Sequence, residues 1–319
     1  MQNRWQGLDH DSILNTIEAT TGAKLTSLLI RRNSYINRVF ELEKKDGKER
    51  FIAKFYCPNR WTKAMILEEH RFLEELSAKE IPVIPPIKHG GETLFALNNI
   101  PFAVFPKKGG RAFDEFNKES WQELGRLLAR LHLIGETFKG SSRIVWKPGI
   151  ATRKHMDILI GKGHVLPDFQ KSLQDIVEFF IKKAEPLFAD EQLLLIHGDC
   201  HKGNLIHRPG ESIYIVDFDD ISVGPAVQDL WMLLPGAPEE SEQEIAWFLE
   251  GYETFHSFPA RSMQLIPALK VMRMVHYAAW CALQSRDPDF EDNFPLWGKP
   301  RYWNELIKDI QETVFTNFG

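Results

Sequence analysis

The chain has 319 residues, 43% of them hydrophobic, and a formal net charge of −5 at pH 7. That length gives room for one large domain or two lobes around a packed core; the mildly acidic balance, with basic residues scattered along the chain, gives no electrostatic reason to expect nucleic acid as a partner. No stretch approaches the roughly 18 apolar residues of a membrane span, the N-terminus lacks the apolar run of a signal peptide, and Cys57, Cys200 and Cys281 are odd in number and scattered. A soluble, cytoplasmic protein with free thiols and no membrane partner is therefore expected.

The first third carries most of the strand signals. "SLLIRR", "NRVFELEKK" and "ERFIAKFYC" are short runs rich in β-branched and aromatic residues, and the last two flank the turn "DGK". They predict an antiparallel hairpin. "TKAMILEEHRFLEELSAKE" places Ile66, Glu69, Leu73 and Leu76 at helical spacing with Thr62 as N-cap. Prolines in "IPVIPPIKHGG" end that helix, and "TLFAL" and "IPFAVFP" read as further strands.

From residue 107 onward the pattern becomes helical. "SWQELGRLLARLHLIGETF", "DFQKSLQDIVEFFIKKAEPLF", "SEQEIAWFLEGYETF" and "MQLIPALKVMRMVHYAAW" all carry the helical period, and Ser241 with Glu244 has capping-box spacing. One β element interrupts them: "NLIHR", the turn "RPGE" with Pro209 and Gly210 suited to type II geometry, and "SIYIVD". "HGDCHKGN" ends where this hairpin begins, and "VDFDD" starts where it ends. A hairpin brings its ends together, so Asn204 and Asp217 should be neighbours, with Asp199 on the loop before them. An amide oxygen and carboxylates at one loop edge suit a magnesium ion that also holds phosphate oxygens.

With those residues in view, "HGDCHKGN" followed by "VDFDD" resembles the catalytic loop and metal motif of the aminoglycoside phosphotransferase and choline kinase superfamily, which shares the protein kinase fold. Lys54 in "FIAKFY", Glu69 in the next helix and "LLARLH" ahead of the loop fit in the same order. "NSYINRVFEL", "KFYCPNRWT", "ILEEHRFLEEL", "GPAVQDLWMLL" and "DPDFEDNFPLW" further resemble the bacterial stress response kinases, which act on protein serine and threonine. The resemblance implies an α+β, bilobal protein-kinase-like fold. An antiparallel-sheet N-lobe over residues 1–106 would bind the nucleotide, and a mainly helical C-lobe over 107–319 would carry the catalytic loop. It also implies ATP and Mg2+ as cofactors and protein hydroxyls as acceptors; a monomer is expected.

The same template implies residue roles. Lys54 would contact the α and β phosphates and pair with Glu69, Glu68 being the adjacent alternative. Asp199 would orient the acceptor hydroxyl and take its proton. Asn204 and Asp217 would hold magnesium, with Asp217 also part of the catalytic set. Ser34, in "RRNSYINRVF", is the expected nucleotide-loop contact, since this loop has no glycine. The backbone from Phe105 to Lys107 is expected to meet the adenine edge. Asp229 would fix the backbone of the catalytic loop, and Asp219 and Asp220 would shape the second shell or the substrate entrance.

Rival readings stand beside these. His197, Cys200, His201 and His207 could suggest zinc, but the glycines argue for a loop and the Asn and Asp donors prefer hard cations. Cys200, beside Asp199, could be redox-sensitive or simply a small buried residue. His132 reads as a core histidine. For the acceptor, a small cationic alcohol or aminoglycoside is the alternative to a protein, met by the acidic and aromatic segment with Asp287, Asp289, Glu291 and Asp292. A catalytically silent nucleotide-binding regulator is the third possibility, and the complete set of Lys54, Asp199, Asn204 and Asp217 weighs against it.

Overall fold

The computed structural model describes residues 4–47, 49–113, 115–138, 141–287 and 289–319. The chain divides into two compact units: one comprises Met1–Ser142, His201–Ile221 and Ser241–His256, the other Arg143–Cys200, Ser222–Glu240 and Ser257–Gly319. Among the described residues no helix is long and apolar enough to cross a membrane.

The first unit opens with α1, His10–Thr21, which the sequence reading did not include. Its local signals are nonetheless complete: the Asp9 carboxylate accepts the Ser12 N–H at 2.9 Å, and Gly22 ends the helix at φ 69°. The predicted strands follow as β1 (Leu25–Arg32), β2 (Arg38–Lys44), β3 (Arg50–Phe55), β4 (Phe95–Leu97) and β5 (Ile100–Pro106). They form one antiparallel sheet in the order β1-β2-β3-β5-β4. Phe40, Leu42, Phe51, Ala53, Phe55, Phe102 and Val104 point to one face and are buried in one cluster with Ile13 and Ile17 of α1. By strand alternation the other face carries Val39, Glu41, Ile52, Lys54, Ala103 and Phe105. The period of two therefore sorts Lys54 away from the α1-side core.

The helix predicted between β3 and β4 is α2 (Lys63–Ala78), capped as expected by Thr62, whose hydroxyl accepts the Met65 N–H at 3.2 Å. After β5 comes α3 (Lys118–Thr137), which packs on the helix Glu242–Tyr252. Glycines make that approach possible: a Cβ on Gly125 would lie 2.1 Å from the Phe248 carbonyl oxygen, and one on Gly251 would lie 2.0 Å from that of Gln122. His132 is the core histidine expected, fully buried with Nδ1 2.9 Å from the Tyr252 hydroxyl. One cap expectation fails. Ser241 occupies the N-cap of Glu242–Tyr252 with φ −117° and ψ 22°, outside the extended geometry a capping box needs, and its side chain makes no cap hydrogen bond.

The interrupting hairpin also lies in this unit, pairing Leu205–Arg208 with Ser212–Ile215. Its turn is closed by the Glu211 N–H donating to the Arg208 carbonyl at 2.9 Å, with Gly210 at φ 79° as a type II turn requires.

The second unit is mainly helical, with Arg153–Gly161, Pro167–Ala184, Ile266–Gln284, Phe290–Asn293 and Pro300–Phe318. Leu159, Leu173, Phe180, Phe188, Leu269 and Trp303 are among its fully buried side chains. Two three-residue strands, Leu194–Ile196 and Ser222–Gly224, pair antiparallel and lead into the "HGDC" loop.

Candidate active site

In the first unit, Lys54 on β3 is almost enclosed, at 9% exposure, and three carboxylates converge on its ammonium. Asp217 Oδ1 lies at 3.2 Å and Glu69 Oε1 at 3.8 Å, and Asp219 makes the closest contact. Burial alone would pull the lysine pKa down, but Asp219, Asp217 and Glu69 hold it well above the usual lysine range. Of the two candidate glutamates on α2, Glu69 is thus the one beside Lys54. Glu68 instead accepts the backbone N–H and hydroxyl of Ser142, at 2.9 and 2.6 Å. Behind Glu69, the buried Tyr56 hydroxyl lies 3.5 Å from Glu69 Oε1 and 2.9 Å from His70 Nε2, and His70 Nδ1 lies 2.8 Å from the Thr93 hydroxyl.

The hairpin places Asn204 and Asp217 as its register predicts. The Val216 N–H donates to the Asn204 carbonyl at 2.9 Å, so Asp217 is one residue beyond the last rung of the ladder. Asp217 adopts φ 62° and ψ 65°, the left-handed region that Asp tolerates better than most side chains. Its side chain is 55% exposed, whereas Asp219 is 3% exposed. Asp219 and Asp220 meet Arg60: Nη1 donates to Asp219 Oδ2 at 3.2 Å, and Nη2 to Asp220 Oδ1 at 2.7 Å. Burial opposes the charge on Arg60, yet Asp220 and Asp219 push its pKa up. Burial would likewise raise the Asp219 pKa, but Lys54 and Arg60 hold it below the usual carboxylate range.

Lys54 and Arg60 thus face Glu69, Asp217, Asp219 and Asp220, an excess of negative charge that a divalent cation would offset. The exposed Asp217 carboxylate and the amide oxygen of Asn204 are hard donors, so the residue chemistry fits magnesium. Among the described residues no group of three or more His, Cys, Asp or Glu side chains could by itself hold a metal.

The other nucleotide candidates lie along the same sheet. Ser34 is half-buried in the β1–β2 loop. Phe105 is half-buried on β5, its ring edge-on to His70 with centroids 6.2 Å apart. The expectation for Lys107 needs correcting in one respect: its backbone N–H already donates to the Arg50 carbonyl at 3.0 Å, extending the β3–β5 ladder, so that amide is not presented to a base edge. Its ammonium joins Arg50 and Arg32 on the fully buried Glu41, at 2.6 Å from Oε1. Burial works against the Glu41 charge, but these three cations bring its pKa down to about 2.

The second unit holds Asp199. Arg273, on the helix Ile266–Gln284, donates from Nη2 to Asp199 Oδ1 at 2.6 Å. The loop before it is fixed as expected: the fully buried Asp229 accepts the His197 N–H on Oδ2 and the Gly198 N–H on Oδ1, both at 2.8 Å. Gly198 sits at φ 80°, and Gln228 donates to its carbonyl at 3.2 Å. His197 is fully buried, its Nδ1 3.3 Å from the Asp199 N–H, which fits the bracing role. Cys200 is fully buried, and burial, with Asp229 and Asp199 adding to it, pushes its thiol pKa well up. Burial thus disfavours the thiolate that oxidation requires.

Sequence reasoning did not single out Arg273, Arg60, Asn37 or the Tyr56–His70 pair. The partner of Arg273 is 74 residues away and those of Arg60 are 159 and 160 away, separations over which no local pattern acts.

The chain is similar to known phosphotransferases and kinases. The family model described as "Phosphotransferase enzyme family" matches residues 29–266. Stress response kinase A of Escherichia coli strain K12 is 36% identical over 307 residues, covering 94% of this chain and 90% of that protein. The serine/threonine protein kinase RdoA of Salmonella typhimurium is 34% identical over 310 residues, with the same coverage of 94% and 90%. Among solved structures, the amicoumacin kinase hAmiN in complex with AMP-PNP and Ca2+ superposes with a TM-score of 0.74 at 19% identity, covering 94% of each chain. A microcompartment-associated aminopropanol kinase gives 0.65 at 18% identity, covering 94% of this chain and 95% of that one. These neighbours show a kinase-like fold, with the antiparallel sheet of residues 25–106 followed by helices.

Proposed function

The chain belongs to the phosphotransferase enzyme family, and we propose that it transfers the γ-phosphoryl group of magnesium ATP to serine or threonine hydroxyls of proteins. The observation that carries the reading is the convergence of Glu69, Asp217 and Asp219 on the enclosed Lys54, in a chain 36% identical to a stress response kinase. In such transfers the protein does little covalent chemistry; it positions the groups and compensates charge.

Lys54, held by Glu69, would aim its ammonium at the α and β phosphates. Asn204 and Asp217 would hold magnesium, which when bound neutralises charge on the phosphate oxygens. Ser34 would contact the phosphates from the glycine-free loop. The segment from Phe105 to Lys107 would flank the adenine through groups other than the Lys107 N–H. Asp199, fixed by Arg273 and by the Asp229-braced loop, would accept the proton of the attacking hydroxyl. Residues 1–106 would form the nucleotide lobe and 107–319 the acceptor lobe, acting as a cytoplasmic monomer.

The second reading changes the acceptor only. Asp289, Glu291 and Asp292 are exposed on or beside the helix Phe290–Asn293, and Phe294 meets Trp280 edge-on at 5.5 Å. This surface would suit a cationic alcohol. Both readings are tested first by magnesium-dependent ATP turnover in the full-length chain, with Asp217→Asn and Asn204→Ala as controls. Turnover that needs magnesium and falls in both variants supports the assignment; magnesium-independent turnover, or activity unchanged in both, would overturn it.

A further inference from the structure

The loop between β1 and β2, residues 33–37, takes the place where protein kinases cover the phosphates with a glycine-rich loop, yet it contains no glycine. Asn37 closes it. This side chain is 4% exposed and bonded on both sides: Nδ2 donates to Asp219 Oδ2 at 2.5 Å, and Oδ1 accepts the Cys57 N–H at 3.0 Å. Arg60, from the segment between β3 and α2, reaches the same Asp219 oxygen at 3.2 Å and clamps Asp220 through both carboxylate oxygens, at 2.7 and 2.9 Å. Lys54 takes the other oxygen of Asp219.

One buried carboxylate thus joins three otherwise separate pieces of chain: the end of the phosphate loop, the strand bearing Lys54, and the short turn Phe218–Asp220 that follows Asp217. Removing one partner from a buried charge is far more costly than breaking a surface pair. The pieces are therefore held as a single body. The turn also gains from such support, because Asp217 sits at φ 62° directly after the Val216–Asn204 rung.

We propose that Asn37 and Arg60 are positioning residues for the nucleotide. By clamping Asp219 and Asp220 they hold the glycine-free loop against the Asp217 turn and set the direction of the Lys54 ammonium. Side-chain staples do here what close glycine backbone does elsewhere. The inference rests on the phosphotransferase reading of Lys54 and Asp217.

The test uses the full-length chain with Asn37→Ala, Arg60→Gln and the double variant. Affinity for a fluorescent ATP analogue, KM for ATP, KM for the acceptor and the unfolding midpoint are measured together. Each single variant should raise the ATP-analogue Kd and the ATP KM by about tenfold while leaving the acceptor KM within about twofold. The double variant should be less than additive, because both residues act through Asp219, and Arg60→Lys should recover part of the loss. Folded variants whose ATP KM stays within about twofold of the parent would overturn the proposal, as would an equal rise in both KM values. Should Arg60→Gln fail to fold, Asn37→Ala, which removes no charge, decides alone. A parent chain that binds no ATP analogue would instead refute the phosphotransferase reading, and the inference with it.

Discussion

Arg273 donates to Asp199 at 2.6 Å, so the carboxylate proposed as the acceptor base is held by a guanidinium from the helix Ile266–Gln284. A base on a loop gains from such a lock, since a misplacement of about 1 Å can cost two orders of magnitude in rate. Arg273→Ala is expected to lower kcat by about tenfold to a hundredfold with little change in the KM for ATP. Steady-state kinetics at saturating and limiting ATP check this; a variant impaired only in ATP KM would contradict it.

Lys54→Met should raise the ATP KM by more than about tenfold, as it removes the cation proposed to meet the phosphates. Glu69→Gln should produce a smaller effect in the same direction, because Asp217 and Asp219 continue to hold Lys54. Glu68→Gln should not affect ATP KM, since Glu68 serves Ser142. Parallel titrations of ATP for the three variants give the ranking directly.

Asp229→Ala leaves two buried N–H groups, those of His197 and Gly198, without their acceptor. The expected cost is about 2–4 kcal/mol of stability, together with a fall in kcat as the Asp199 loop loosens. Urea unfolding and turnover measured on the same preparation check both arms.

Glu41 gives a pH prediction. Its carboxyl titrates at about 2 in the folded chain against an ordinary 4.5, because Lys107, Arg50 and Arg32 outweigh its burial. A depressed folded pKa stabilises fully above about pH 4.5, and that contribution is lost as pH falls from there towards 2. Glu41→Gln should therefore destabilise by about 2 kcal/mol at pH 7, allowing for partly exposed partner cations. The gap between parent and variant should narrow at pH 3; a gap that widens there would contradict the assignment.

Much of the proposed site could be read from local pattern. Lys54 stands on the sheet face away from the α1-side core because alternation in "FIAKFY" puts Phe51, Ala53 and Phe55 there, and the Pro209–Gly210 turn fixes the hairpin that brings Asn204 beside Val216. Helix phase favours Glu69 over Glu68 in the same way, since Glu69 shares the spacing of Ile66, Leu73 and Leu76, and it is Glu69 that stands beside Lys54. Other features leave no local signal. Arg273 and Arg60 act through contacts that cross the sequence, with no periodic signal. The failed cap at Ser241 shows the reverse case, where "SEQE" has the right spacing but the backbone at Ser241 is not extended. Helix α1 is legible in its caps, Asp9 and Gly22, although its few apolar residues give a weak periodic signal.

The central claim is tested most directly by following labelled γ-phosphate from ATP, with magnesium, onto myelin basic protein and onto a panel of aminoglycosides and amino alcohols, using the parent chain and Asp199→Ala. Label on protein serine or threonine that disappears in Asp199→Ala is the expected result. Label confined to a small molecule, or label on protein that survives in Asp199→Ala, would contradict it.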